Sequence, residues 1–369
     1  MSASCASTWQ GSRGRLIGSA ALAALLWVAC AFLTLDPVKA QSAKPAAAAP
    51  TCATCHVGIT TSYAHAPMRH ALESPGADPV LDTHPSLTVQ QAGYTYTVQT
   101  KDGHSTYSVT DGKDTLTVPI RWMFGQHSQT WVLEKDGNLY EGLVSYFPRD
   151  NGLASTPGDG KIVPTNLTEA MGRRLTIWEV VQCFSCHASG ATSGVKLTLD
   201  KTRPGLECER CHVGSELHLT DAAAGNFATL PKPLKKMSAQ DSANFCGQCH
   251  RTWDTVMRNN WKGPVDVRFQ PYRLENSRCF IGNDSRISCL ACHDPHQPVN
   301  HDDTFYDSKC LACHAAAAVA VATVPTKTCP VAKAKCASCH MPKVELPGGH
   351  ALFTDHQIRI VHPGDPYPN

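Results

Sequence analysis

Cys183-Phe-Ser-Cys186-His187, followed closely by Cys208-Glu-Arg-Cys211-His212, decides how this chain is read. The same five-residue word, C-x-x-C-H, recurs at Cys52-Ala-Thr-Cys55-His56, Cys246-Gly-Gln-Cys249-His250, Cys289-Leu-Ala-Cys292-His293, Cys310-Leu-Ala-Cys313-His314 and Cys336-Ala-Ser-Cys339-His340. We number the words 1 to 7 in chain order. A lone C-x-x-C suits half a zinc site or a redox dithiol equally well. Here every C-x-x-C is followed by His, and an odd number of words cannot be paired into four-ligand zinc sites. C-x-x-C-H is the attachment pattern of a c-type haem. Two thiols about one helical turn apart add to the vinyl groups of one porphyrin, and the next residue brings an imidazole under the iron. The sequence therefore predicts seven covalently bound haem c groups, with His56, His187, His212, His250, His293, His314 and His340 as proximal iron ligands.

The chain has 369 residues, and only 7% of them are aromatic. With so little aromatic material, the porphyrins are expected to form much of the interior, and the polypeptide to be unstable without them, as in small metal-dependent domains. Arg13 and Arg15 precede an apolar stretch over 16–35 and a small-residue site at Val38-Lys39-Ala40, the pattern of an export leader over 1–40, with an uncleaved anchor as the alternative. Export places the protein in the periplasm or elsewhere outside the cytoplasm, and leaves the N-terminal segment as its only membrane contact. Without the leader the acidic and basic residues balance, which excludes the basic footprint of a nucleic-acid binder.

Residues 41–50 (QSAKPAAAAP) read as an Ala/Pro linker, and 51–79 as a first haem segment. Over 80–165 cysteine disappears, and alternating runs such as Tyr94-Thr-Tyr-Thr-Val-Gln-Thr100 are split by Asp102-Gly103, Asp111-Gly112 and Asp136-Gly137. Period-two patterning divided by Asp-Gly predicts a small antiparallel β insert between the first and second words. From 166 to 369 the pattern predicts a six-haem helical domain. In it, one helix starts at the Asn166-x-x-Glu169 box and leads to Cys183, another starts at Ser238, and a third runs over 303–322. The expected fold class is mainly α with irregular loops, carrying that one small β insert.

Eleven histidines lie outside the words. His218, His296, His350 and His356 stand close to other words and are candidate distal ligands, as are His70 or His65 near word 1, His127 leaning from the β insert, and His301. His84, His104 and His362 read as surface residues. Enough imidazole is present to fill the sixth position of every iron, and a saturated iron relays electrons rather than binding substrate. No catalytic residue is assigned. Of the four cysteines outside the words, Cys5 and Cys30 lie in the leader. Cys279 and Cys329 are expected to form a disulfide after export, with a free thiol near a haem as the alternative.

On these residues the chain resembles exported multihaem c-type cytochromes, the group of the nitrifiers' tetrahaem electron carrier, the pentahaem nitrite reductase and the octahaem hydroxylamine oxidoreductase. The matching stretches are words 2 to 5, with His218 after word 3 and His296 after word 5, and Cys336 to Pro342 with the later His350 and Asp355-His356. The β insert is similar to one in multihaem proteins that carry tetratricopeptide repeats. The resemblance implies close-packed, mostly bis-histidine haems and electron transfer. It departs from the nitrite reductase in lacking a C-x-x-C-K word. Three functions follow: an electron carrier between redox proteins or from a membrane quinol-oxidising complex; an oxidoreductase with one open iron acting on a small nitrogen or sulfur compound; and a subunit of a haem filament or other oligomer.

Overall fold

In the computed structural model, residues 50–125, 128–315, 320–321, 324–325 and 329–368 are described. The leader, nearly all of the linker, and His127 lie outside the described residues. No helix among the described residues is long and apolar enough to cross a membrane.

The largest element is a nine-stranded sheet, which corrects the mainly α expectation. After the short helices α1 (Cys52–Cys55), α2 (Val57–Tyr63) and α3 (Pro79–Thr83), a meander runs in neighbour order through β2 (Ser86–Gln91), β3 (Tyr94–Lys101), β4 (His104–Thr110), β5 (Thr115–Phe124), β6 (Gln129–Lys135), β7 (Asn138–Phe147) and β8 (Gly152–Ser155). The short strands β1 (Leu72–Glu73) and β9 (Gly172–Arg174) pair with β5 and β7. Ser155 Oγ donates to Gln91 Oε1 at 2.9 Å, bringing β8 back against β2 so that the sheet nearly closes on itself. Asp102-Gly103 and Asp136-Gly137 both adopt positive φ at the two central residues, the twist that two-residue hairpins need. Ala92-Gly93 makes the same turn without an Asp or Asn to announce it.

Alternation explains the interior. In β4, Ser105, Tyr107 and Val109 point inward, and Tyr96 and Val98 do so from β3. The tyrosines and valines among these join Val118, Ile120, Trp131, Leu133 and Leu143 in a hydrophobic core, capped by Leu81 of α3 and by Ala170 and Met171 of α4 (Leu167–Met171). This core owes nothing to porphyrin. The sheet is larger than the sequence suggests because β1, β2, β8 and β9 are short and weakly patterned.

The outer face of β5 and β6 packs on α5 (Ile177–His187), whose C-terminal end is word 2. Trp122 and Phe124 meet Phe184 edge-on at 5.0 and 5.6 Å, and Phe124 meets the ring of His187 at 4.8 Å. The single helix expected to lead into Cys183 is broken: α4 ends at Met171, β9 intervenes, and Thr176 restarts the chain with a reciprocal Thr176/Glu179 cap. The rest is short helices in irregular chain: α6 (Ser215–Ala223), α7 (Ala239–His250), α8 (Trp253–Arg258), α9 (Gln270–Glu275), α10 (Cys289–Cys292), α11 (Asp307–His314) and α12 (Cys336–His340). Of the helix expected over 303–322, α11 is present, Ala320–Val321 is instead a strand paired with Val324–Pro325, and residues 316–319 and 322 lie outside the described residues.

Two contacts fix the irregular half. Arg273, fully buried, forks onto Asp355 through Nε–Oδ1 and Nη2–Oδ2 bonds of 2.8 and 2.9 Å. It also donates to the Pro368 carbonyl and Gln357 Oε1, lies over the Tyr367 ring, and faces the buried Asp266 at 3.4 Å. Burial pushes the Asp355 carboxyl up, but Arg273, the Gln357 N–H and Arg359 outweigh it and hold Asp355 below its usual range. The second contact joins words 1 and 3. Leu206 N donates to Met68 O, Arg69 Nη1 to Pro204 O and Tyr63 Oη to Leu206 O. Gly205, at φ +73°, lies so close that a Cβ would fall 1.7 Å from Arg69 O.

Removing Arg273 leaves Asp266 buried without a counter-charge and Asp355 with Arg359 alone. Arg273→Ala is expected to cost about 3–5 kcal/mol and Arg273→Lys less, read as the fall in the thermal midpoint of the pigmented protein by circular dichroism. Gly205→Ala should lower the same midpoint clearly more than Gly112→Ala. Gly112 has a positive φ of +90° but nothing within 4 Å, so that control isolates the backbone term of about 1 kcal/mol. Equal shifts for the two glycines would show that the junction between words 1 and 3 is not close-packed.

Candidate haem-binding sites

Each described word has a local reason for its shape. Words 2 and 4 end α5 and α7, which start at side-chain caps, Thr176 onto Glu179 N and Ser238 onto Asp241 N. Words 1, 5 and 7 are themselves single turns, α1, α10 and α12, and word 3 opens on a 3₁₀ turn, Cys208–Arg210. A turn sets the two thiols of a word on one side, and the histidine follows where the helix stops. No two cysteines among the described residues are joined in a disulfide.

The distal candidates fall into a pattern that word order alone does not disclose. His56 of word 1 faces His218 with ring centroids 6.3 Å apart, His212 of word 3 faces His296 at 6.0 Å, and His293 of word 5 faces His356 at 6.2 Å. The interplanar angles are 43°, 9° and 38°. A direct aromatic contact ties distance to tilt, whereas a metal between two ring nitrogens fixes distance and leaves rotation free. A metal–imidazole bond of about 2.0–2.1 Å, with a ring radius of about 1.1 Å, places two imidazoles on one metal with centroids about 6.2–6.4 Å apart. The pairs at words 1 and 5 fall in that range, and the His212–His296 pair lies just below it.

The pairs interlace. Word 1 meets the histidine that follows word 3, word 3 the histidine that follows word 5, and word 5 a histidine that follows word 7.

Hydrogen bonds set the tautomers. Nδ1 of His187, His218, His340 and His356 each lies 2.7–2.9 Å from a backbone carbonyl, of Ala71, Thr229, Arg359 and Thr354 respectively. A carbonyl only accepts, so Nδ1 carries the proton and Nε2 is left with its lone pair free for a metal. His296 makes the equivalent bond to Asp294 Oδ1 at 2.9 Å. Burial lowers the pKa of His187, His212, His250 and His293, and takes His356 down to about 4, so these rings are neutral at pH 7.

Large apolar side chains stand open beside the first pair: Val57 and Ile59 next to word 1, Val213 next to word 3, and Leu217 next to His218. No three His, Cys, Asp or Glu side chains among the described residues converge on a metal position. Two imidazoles, two thiols and an uncovered apolar surface are the donor set of a porphyrin, which brings its own four equatorial nitrogens.

The other candidates are placed differently. His70 has both ring nitrogens engaged, by Glu73 and by the Ala64 carbonyl. His65 and His301 are exposed. His350, at φ +46°, is held by Asp150 at 2.6 Å and by the Phe147 ring, tying the last word's tail to the sheet. His84 bonds Asn151 and packs on Tyr146, and His104 and His362 are exposed. The expected Cys279–Cys329 bridge is not formed: Cys329 is exposed, and Cys279 lies near Cys310 and Cys313 of word 6.

The words lie against one another. Cysteines of different words are close neighbours at Cys52 and Cys208, Cys186 and Cys249, Cys246 and Cys289, and Cys310 and Cys336, and Cys186 Sγ donates to the Gln248 carbonyl of word 4. Cys211 lies near Cys246 and Cys249, and Cys292 near Cys310. The words therefore form one unbroken succession, 1–3–4–5–6–7, with word 2 against word 4.

Against this geometry the comparison with known proteins is short. No curated protein and no solved structure matches the chain. Residues 165–213, from the start of α4 through words 2 and 3, match the family model described as cytochrome c554 and c-prime, which points to a c-type cytochrome and hence to covalently bound haem c in an electron carrier.

Proposed function

We propose that this chain is an exported multihaem c-type cytochrome, with one haem c on each of its seven words, that passes electrons between redox partners. The observation that carries the proposal is the set of three imidazole pairs at one common spacing, each joining the histidine of a word to one far along the chain. The paired thiols of each word would hold one porphyrin through thioethers, and the group when bound would supply one-electron chemistry at its iron.

The chain's own residues do the rest. The paired thiols of each word fix position, and the word histidines bind from one side. His218, His296 and His356 close the other side for words 1, 3 and 5, leaving those irons no position for substrate. The backbone carbonyls of Thr229 and Thr354 hold His218 and His356 in the ligating tautomer, and Asp294 does so for His296. The unbroken succession of words supports transfer along the molecule. Partners are redox proteins, or a membrane quinol-oxidising complex on the outer side of the membrane, which the leader pattern supports.

Protein matured in a host with the attachment machinery should carry about seven haems per chain by pyridine haemochrome assay. His218→Ala, His296→Ala and His356→Ala should each turn one low-spin ferric centre high-spin in the resonance spectrum, about one seventh of the total, and leave the others unchanged. A pigment count far below the number of words, or three variants with unaltered low-spin spectra, would overturn the proposal.

A further inference from the structure

Word 4 is followed at once by Arg251, which takes the left-handed conformation, φ +70°, that side-chain-bearing residues rarely adopt. Its guanidinium lies over the Trp261 ring at 5.6 Å, and that of Arg268 lies over Phe269 at 5.5 Å. The two rings pack on each other at 5.1 Å and are backed by Val256 and Tyr272. One aromatic shelf thus presents two cations side by side. Arg268 feels both burial and the neighbouring charge of Arg251, which lower its pKa. Arg251 also acts on His187 and Cys186 of word 2, so it faces the junction of words 2 and 4. Arg210 reaches the same junction, acting on Cys186 and Cys249 while donating to the Ser185 carbonyl.

Arginines elsewhere, such as Arg173, Arg203 and Arg273, are paired with carboxylates. Among the described residues neither Arg251 nor Arg268 has an ion pair or a hydrogen bond. Two like charges held together on a partly desolvated shelf are unfavourable until an anion joins them, and a guanidinium fork is shaped for a carboxylate or similar oxyanion.

We propose that Arg251 and Arg268 form an oxyanion-binding pair at the junction of words 2 and 4. It takes either the carboxylates carried by a porphyrin anchored there or a small oxyanion arriving from solvent. The inference rests on the haem-binding reading above, so the pigment count is measured first: a low count defeats that reading, whereas the following measurements on fully pigmented protein test only the arginine pair.

Midpoint potentials are recorded from about pH 5 to 8 for the unaltered protein and for Arg251→Gln, Arg268→Gln and their Lys counterparts, with calorimetric titration by sulfate, a poor iron ligand. If the anion is the porphyrin's own, the Gln variants should move one or two potentials negative and give them a new pH dependence, because carboxylates freed from guanidinium protonate at higher pH. The Lys variants should restore most of the original behaviour. If the anion comes from solvent, the unaltered protein should bind sulfate saturably, and each Gln variant should bind it at least tenfold more weakly. A pH-independent offset without sulfate binding would make the arginines bystander charges and overturn the proposal, as would unchanged potentials and no sulfate binding in any variant. Arg268 is exposed enough that its Gln variant should fold even if Arg251→Gln does not.

Discussion

Three pairs of imidazoles held with ring centroids 6.0–6.3 Å apart are the constraint around which the irregular half of this molecule is arranged. Each pair joins segments far apart in sequence, and a ring that closes a long loop removes chain entropy that the short helices around it could not offset. α1, α10 and α12 are single turns, far below the length at which a helix holds itself together in water. They persist because a covalent group would hold both thiols and the following histidine at once. Backbone carbonyls and Asp294 make the pairing specific by leaving a lone pair on the nitrogen that faces inward.

The sheet is stabilised in the ordinary way. Tyr96, Tyr107, Trp131 and Leu133 fill it with no cofactor, and its outer face grips α5 through Trp122, Phe124 and Phe184. His187, at the end of α5, therefore sits on a scaffold that does not need the porphyrin to form. Words 3, 5 and 7 have no comparable support, and Arg273 with Asp355 stands in for it at the far end. Asp355 precedes His356, and the nearby Arg359 bonds His340 through its own N–H and carbonyl, so one buried ion pair steadies both His340 of word 7 and His356, which faces word 5.

The C-x-x-C-H words stand out in the sequence because thiol spacing and the adjacent histidine are local chemistry, and the family match spans two of them, words 2 and 3. The hairpins were legible where Asp-Gly marked the turn, at 102–103 and 136–137, and missed at Ala92-Gly93, where only the backbone records it. The sheet was underestimated because strands of two to six residues carry too little alternation to register, while the many C-x-x-C-H words drew the reading toward helix. The helix expected to run unbroken into Cys183 failed at Gly172, whose backbone lies against Glu141 of β7, a long-range contact that no local pattern encodes. Distal pairing was illegible for the same reason. His218, His296 and His356 could be singled out by their nearness to words, but each faces a different word from the one beside it.

The interlacing also has a direction. Every histidine that faces words 1, 3 and 5 lies downstream of the word it faces, never upstream. As the chain is made from its N-terminus, each of these words is complete before the histidine that will face it exists. The three contacts can therefore form only in chain order, with His356 the last of the three to arrive.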